Sequence, residues 1–221
     1  MGLLDDLKKK AEMVKTQQLS QDSLRDDAIK LVEDKMKQTF HYLNDLLKQL
    51  AVVKPTNPMV YSVPGAGDLS KLVFSEAFID YRRKRFNDRD HFDVITFFLK
   101  WSSGQNLVVE RDMPVTAQKV RDLLFSYNLK FTEEETKNTR GVVVSTKFTV
   151  QPFIVTDVTI KADHERGRLL ITAKNLQRLG RDDYVVPAGE INDAMLEEFA
   201  KSLIGQSSVF RKFRSISSAS R

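Results

Sequence analysis

Residues 72–101 read LVFSEAFIDYRRKRFNDRDHFDVITFFLKW, and the division of this stretch decides the fold. Side chains alternate in character from Leu72 to Phe86 and again from His91 to Trp101, the period of a strand. Between them Asn87-Asp88-Arg89-Asp90 supplies turn chemistry. Two strands joined this tightly must run antiparallel, because parallel neighbours need a crossover of a dozen or more residues. A third strand, Leu107 to Arg111, follows the turn Ser102-Ser103-Gly104-Gln105, and such short connections argue against a doubly wound parallel sheet.

Alternation places Ser75, Ala77, Ile79 and Tyr81 on one face of the first strand and Phe74, Glu76, Phe78 and Asp80 on the other. Beyond Tyr81 both faces become cationic, with Arg83 and Arg85 on one and Arg82 and Lys84 on the other. A packed strand keeps one face apolar, so the hairpin has here run past the packed layer into water. A four-residue turn sets Phe86 opposite His91 and Lys84 opposite Asp93. Asp80, Asp88, Asp90 and Asp93 then offset four of the five cations Arg82, Arg83, Lys84, Arg85 and Arg89.

Upstream, residues 3–53 carry helical spacing. A first segment has Leu3, Leu4, Leu7, Ala11 and Val14, the polar stretch KTQQLSQDS reads as a break, and Ser23 to Val53 forms a second segment. Its stripe Ile29, Val32, Met36, Phe40, Leu43, Leu47 and Leu50 steps by three or four residues. Met36, Phe40, Leu43, Leu47 and Leu50 form a candidate face for a helical partner, a second copy included, or for the chain's own sheet. KPTNPMVYSVPGAGD, with three prolines and two glycines, reads as a linker.

Downstream, a helix capped by Thr116 carries Val120, Leu123, Leu124 and Tyr127. Leu129 to Thr132 is a short strand, TEEETKNTRG a polar loop, and Gly141 to Val150 and Phe153 to Ala162 are strands interrupted at Pro152. VTIKADHERGRLLITAKNL is a hairpin around Glu165-Arg166-Gly167. Tyr184 to Pro187 is a last strand, and Ile191 to Ile204 a helix closed by Gly205. The expected class is α+β, a helical N-terminal arm followed by a mainly antiparallel curved sheet of about six or seven strands with two helices. The expected divisions are an arm at 1–54, a linker at 55–68, a domain at 69–205 and a disordered basic tail at 206–221.

The opening MGLLDDLKKKAE, the helical arm, the Pro-rich joint and the closing LEEFAKSLIGQSSVF together resemble a group of uncharacterised bacterial proteins of similar length. That resemblance implies no activity, cofactor or site.

Charge is unevenly placed. The chain of 221 residues has 35 basic and 30 acidic side chains, a net +5. Lys201, Arg211, Lys212, Arg214 and Arg221 account for that excess, because residues 201–221 contain no acid. VFRKFR therefore makes Arg211, Lys212 and Arg214 candidate anion-binding residues, with Arg82, Arg83, Lys84 and Arg85 in support. The absence of cysteine excludes disulfides, thiolate metal sites and a cysteine nucleophile. MGLLDDLKKK puts acids and lysines where a secretory signal needs an apolar core, and Asp6 where a myristoylation motif needs Ser or Thr. A cytoplasmic protein is the expectation.

Catalytic patterns are lacking in the sequence. There is no G-x-S-x-G elbow and no H-E-x-x-H, and His41, His91 and His164 each stand alone, the last two near turns where solvent is expected. Alternation splits Asp163, His164 and Glu165 between faces, and DRDHFD lacks the glycine and terminal glutamate of a calcium loop. Gly65-x-Gly67 leads into a strand with Ser70 in the sixth position, so no helix N-terminus would face a pyrophosphate. Glu76 and Asp80 share a strand face as surface acids do. Phe92, Phe97, Phe98 and Trp101 suit a core, or a ligand pocket between sheet and helix. No residue pattern asks for a cofactor. The expected function is a non-enzymatic interaction protein of unknown partner. The alternatives are a binder of nucleic acid or an anionic membrane through the basic tail, and a small-ligand carrier or enzyme with an enclosed pocket. Leu3, Leu4 and Leu7 beside Lys8 to Lys10 also suit a membrane surface.

Overall fold

The computed structural model describes residues 3–86 and 88–215, with side chains throughout except at 3–7, 9, 11, 17, 19, 20 and 22. The arm is one helix, α1 (Leu3–Val53), of 51 residues, or roughly 75 Å at 1.5 Å per residue. KTQQLSQDS does not break it. The stretch has neither Gly nor Pro, and Gln, Lys and Leu propagate a helix well. Every described side chain from Lys8 to Asp27 is exposed, whereas Ile29, Val32, Met36, Leu43, Leu47 and Leu50 are buried. The apolar stripe, not helix propensity, decides where α1 joins the body.

What it joins is a six-stranded antiparallel sheet. Its strands are β1 (Thr56–Asn57), β4 (Leu72–Phe86), β5 (Arg89–Ser102), β9 (Phe153–Asp163), β10 (Arg168–Lys174) and β11 (Arg181–Pro187), in the order β1-β4-β5-β9-β10-β11. Between them come a ribbon of β2 (Tyr61–Val63) and β3 (Gly67–Leu69), and a second sheet ordered β6-β8-β7. That second sheet comprises β6 (Leu107–Arg111), β7 (Phe131–Lys137) and β8 (Val143–Val150). Helix α2 (Pro114–Ser126) buries Ala117, Val120 and Leu124 beside it. The class is α+β, and the main sheet curls, helped by register shifts beside Ser75 and between Arg82 and Arg83.

Register explains the two faces of the main sheet. Tyr81, Ile95, Ile160, Ile171 and Tyr184 stand side by side across five strands, as do Phe97, Val158 and Ala173. These rows form the inner face; Tyr81 is exposed at its rim, and the other residues are buried in one core cluster with Met36, Leu43 and Leu47 of α1. Helix α3 (Asp193–Leu203) covers the same core, with Phe199 edge-on to Phe97 at 6.3 Å. Asn192 caps α3 by accepting from the Met195 N–H, and Gly205 ends it at φ +76. A Cβ at Gly205 would lie 2.3 Å from Asn57 Oδ1, so the close approach of β1 requires glycine there.

Four further expectations require correction. The 55–68 segment is packed rather than an open linker: Tyr61 and Val63 are buried, and the Tyr61 hydroxyl donates to the Leu176 carbonyl at 2.9 Å. The polar loop 132–141 is largely strand, since β7 continues to Lys137 and its acids meet cations, Glu134 beside Lys147 and Glu133 beside Arg121. Thr116 lies inside α2; Met113 is the cap position with Pro114 opening the helix. The tail is folded onto the body as far as the described residues go. Val209–Phe213 is a 3-10 turn that buries Phe210, 4.8 Å from the Tyr184 ring and 4.6 Å from that of Phe199. Arg221 lies outside the described residues.

Candidate interaction surface

The distal β4–β5 hairpin is the candidate surface, and its register differs from the one expected. Phe86 pairs with Arg89, Arg85 with Asp90, Lys84 with His91 and Arg83 with Phe92. Asp88 takes φ +54, a left-handed turn conformation that Asp tolerates, so Arg89 and Asp90 already belong to β5. The two-residue slip sets His91, not Asp93, opposite Lys84. Among the described residues no carboxylate comes within 4 Å of the charged groups of Arg82, Arg83, Lys84, Arg85 or Arg89. The self-neutralised hairpin end therefore does not form. Asp80 instead accepts the N–H of Tyr81 at 2.8 Å.

Arg82 to Arg85 are all exposed. Arg83 is held in place by aromatic faces, its guanidinium 5.1 Å from the Phe92 ring centroid and 5.7 Å from that of Tyr81. Tyr81 in turn stacks on Phe92 at 4.8 Å and meets Phe40 of α1 edge-on at 4.8 Å. Of the expected partner face of α1, Met36, Leu43, Leu47 and Leu50 are buried in the chain's own core and Phe40 packs against it. That face is occupied within the chain.

Beneath the cations lies a cluster the sequence reading missed. His91 is only 9% exposed and its ring stacks on Phe86 at 4.0 Å, while His164 lies 5.6 Å from it. Both were expected in solvent. Glu33 of α1 accepts the Phe92 N–H at 2.7 Å, with its carboxylate 3.7 Å from His91 Nδ1. His164 Nε2 lies 2.9 Å from the Phe92 carbonyl, which can only accept, so that nitrogen carries the proton. These contacts staple the hairpin to α1 and to the turn at residues 164–166. No sequence signal links Glu33, His91 and His164, which lie scores of residues apart and meet only through the β5–β9 register. Among the described residues no group of three or more His, Asp or Glu side chains is arranged to hold a metal ion.

The tail cations are differently placed. Arg214 pairs with Asp182, which also receives Arg178 at 2.8 Å and is buried. Arg211 donates to the Gln177 side chain at 2.8 Å, and Lys212 lies over the Phe213 ring, 4.7 Å from its centroid. Asp182 and burial together push the Tyr184 hydroxyl up to about 12, burial being the larger cause.

The outer face of the main sheet carries a further concavity. A shallow hollow of about 330 Å³ is bordered by Phe78, Phe98, Asp157 and Lys174. Burial raises the Asp157 carboxyl above its ordinary value against the pull of Lys174. Asp183 next to it is lowered, because Arg181 and Thr172 hydrogen-bond its carboxylate and outweigh burial.

Fold and surface together define a protein with a long helix clasped by a curled antiparallel sheet, and a cationic hairpin at one end. No protein-family model matches the chain, and no curated protein or solved structure matches it. No helix among the described residues is long and apolar enough to cross a membrane.

Proposed function

We propose that the protein is a non-enzymatic interaction protein that binds an acidic partner surface through the distal β4–β5 hairpin. One observation carries this reading. Arg82, Arg83, Lys84 and Arg85 are consecutive, exposed and without a carboxylate within 4 Å among the described residues. The tail cations Arg211 and Arg214 are engaged by their own chain, so the hairpin takes precedence over the tail as the anion-binding site. Its base is fixed by Glu33 and the histidines, which lowers the ordering cost of binding.

The test is binding of the full chain to DNA, RNA, poly-glutamate and anionic vesicles at low salt, followed by a salt titration. At least one polyanion is expected to bind, weakening as salt screens the charges. The quadruple reversal of Arg82, Arg83, Lys84 and Arg85 to Glu should abolish it while the far-UV spectrum stays unchanged. Failure of the chain, as a monomer, to bind any polyanion at low salt would remove the reading.

A further inference from the structure

The two edges of the main sheet are treated differently. β11 is covered by the tail: Arg214 bridges Tyr184, and the Ser215 N–H donates to the Asp183 carbonyl at 2.8 Å. At the other edge, β1 pairs only with Leu72 and Val73, and Pro55 accepts the Phe74 N–H. From Glu76 to Phe86, eleven residues of β4 have no backbone partner outside β5 among the described residues. The Tyr81 N–H bonds to the Asp80 side chain, so it points away from β5 and off the edge. Main-chain direction alternates along a strand, so Ala77, Ile79, Arg83 and Arg85 also turn their N–H and C=O groups outward.

This open edge reads EAFID-Y-RRKRF. The half before Tyr81 carries two acids and no base; the half after it carries four bases and no acid. An antiparallel pairing of the strand with itself about Tyr81 sets each acidic half opposite a basic half. We propose that β4 of one chain pairs with β4 of a second copy about a two-fold axis through Tyr81, joining two six-stranded sheets into one. This rests on the interaction reading above and names its acidic partner: residues 76–80 of another copy.

The register follows from exclusion. Residues facing each other across the axis must share a sheet face, so only pairings centred on a residue are allowed. Centring on Phe78 opposes Glu76 to Asp80, centring on Asp80 opposes that residue to itself, and centring on Arg82 does the same for arginine. Centring on Ile79 drives residues 83–86 of one copy into β1 of the other. Centring on Tyr81 uses all eleven residues, sets Asp80 opposite Arg82 twice, and lays the Lys84 stem over exposed Phe78. Five outward-facing pairs then exchange roughly ten main-chain hydrogen bonds. Asp80 releases the Tyr81 N–H to the partner's main chain and turns to the partner's Arg82. Beyond those pairs, cations along β4 oppose any other edge pairing.

The absence of cysteine makes the register directly testable. Asp80→Cys and Arg82→Cys variants are prepared separately, then oxidised alone and mixed. Opposed Cα atoms about 4.5–5.5 Å apart allow a disulfide, whereas like residues sit on the diagonal at about 7–8 Å. Covalent dimer is expected in the mixture, at least several-fold above either variant alone. Sedimentation of the natural chain should give twice 25.3 kDa at micromolar concentration. Arg83→Pro removes an outward N–H without touching the β4–β5 ladder and should leave a folded monomer. If that variant does not fold, Asp80→Lys, which opposes lysine to Arg82, should give the same monomer. A natural chain that stays monomeric, a dimer that survives these substitutions, or equal crosslinking in all three samples would overturn the pairing. A monomer that still binds polyanions would sink the pairing alone; one that binds none would remove the interaction reading as well.

Discussion

Glu33 shows how much one side chain can organise. It sits on α1, is nearly buried, and accepts a main-chain N–H from β5 while facing His91. Glu33→Ala leaves the Phe92 N–H without its acceptor, a loss of about 1–3 kcal/mol that urea unfolding would measure. Glu33→Gln keeps an acceptor and should lose less. Asp157 acts in the opposite sense. Its folded-state value is raised by burial, so the folded protein binds its proton more tightly than the unfolded chain does. The charged carboxylate therefore destabilises the fold at neutral pH, and the penalty fades as pH falls through the raised value. Asp157→Asn should raise the melting temperature at pH 7, with the gain shrinking in acid. A variant that melts lower at pH 7 would mean that attraction to Lys174 outweighs burial.

At the scale of elements, what the sequence made legible followed from periodicity. Leu72–Phe86 and Leu107–Arg111 are bounded as the alternation indicates, because apolar residues on one face leave no second way to pack. The misreadings share a cause. β7 lies at the edge of its sheet with charges on both faces, and the described side chains of KTQQLSQDS are all exposed, so neither carries a hydrophobic pattern. The described part of the tail carries only Val209, Phe210 and Phe213 as apolar residues, and of these Phe210 alone is buried, too short a pattern to give a period. The hairpin end was read as self-paired because a four-residue turn was assumed; the two-residue turn at Asp88 moves every pair. Phe210→Ala should cost about 3–5 kcal/mol, as for a large side chain removed from a core. The same substitution should expose residues 208–215 to proteases, which limited digestion followed by mass spectrometry would detect. By the opposite logic, deleting residues 1–22 should leave the melting temperature unchanged, since no described side chain before Ala28 is buried.

Across the whole molecule, equal charges do unequal work. The excess of positive charge in the composition belongs to the C-terminal residues, yet Arg214 is committed to buried Asp182 and Arg211 to Gln177. The hairpin, whose charges nearly cancel on paper, carries the cations that have no close carboxylate. Net charge per segment is therefore a poor guide here, because an ion pair is set by register and not by proximity in sequence. The two clusters should separate cleanly on reversal. Arg214→Glu should cost about 1–2 kcal/mol, between the values for exposed and buried pairs, since Arg214 is half-exposed and Asp182 is not. Polyanion binding should be little changed by it. Reversal of Arg82 to Arg85 should do the converse, abolishing binding at a stability cost of only about 0.5–1 kcal/mol from the Arg83 contacts with the Phe92 and Tyr81 rings, because no intramolecular ion pair is lost. Denaturant melts and binding isotherms measured on both variants under one buffer would decide it. Loss of binding confined to the Arg214 variant would place the anion site on the tail.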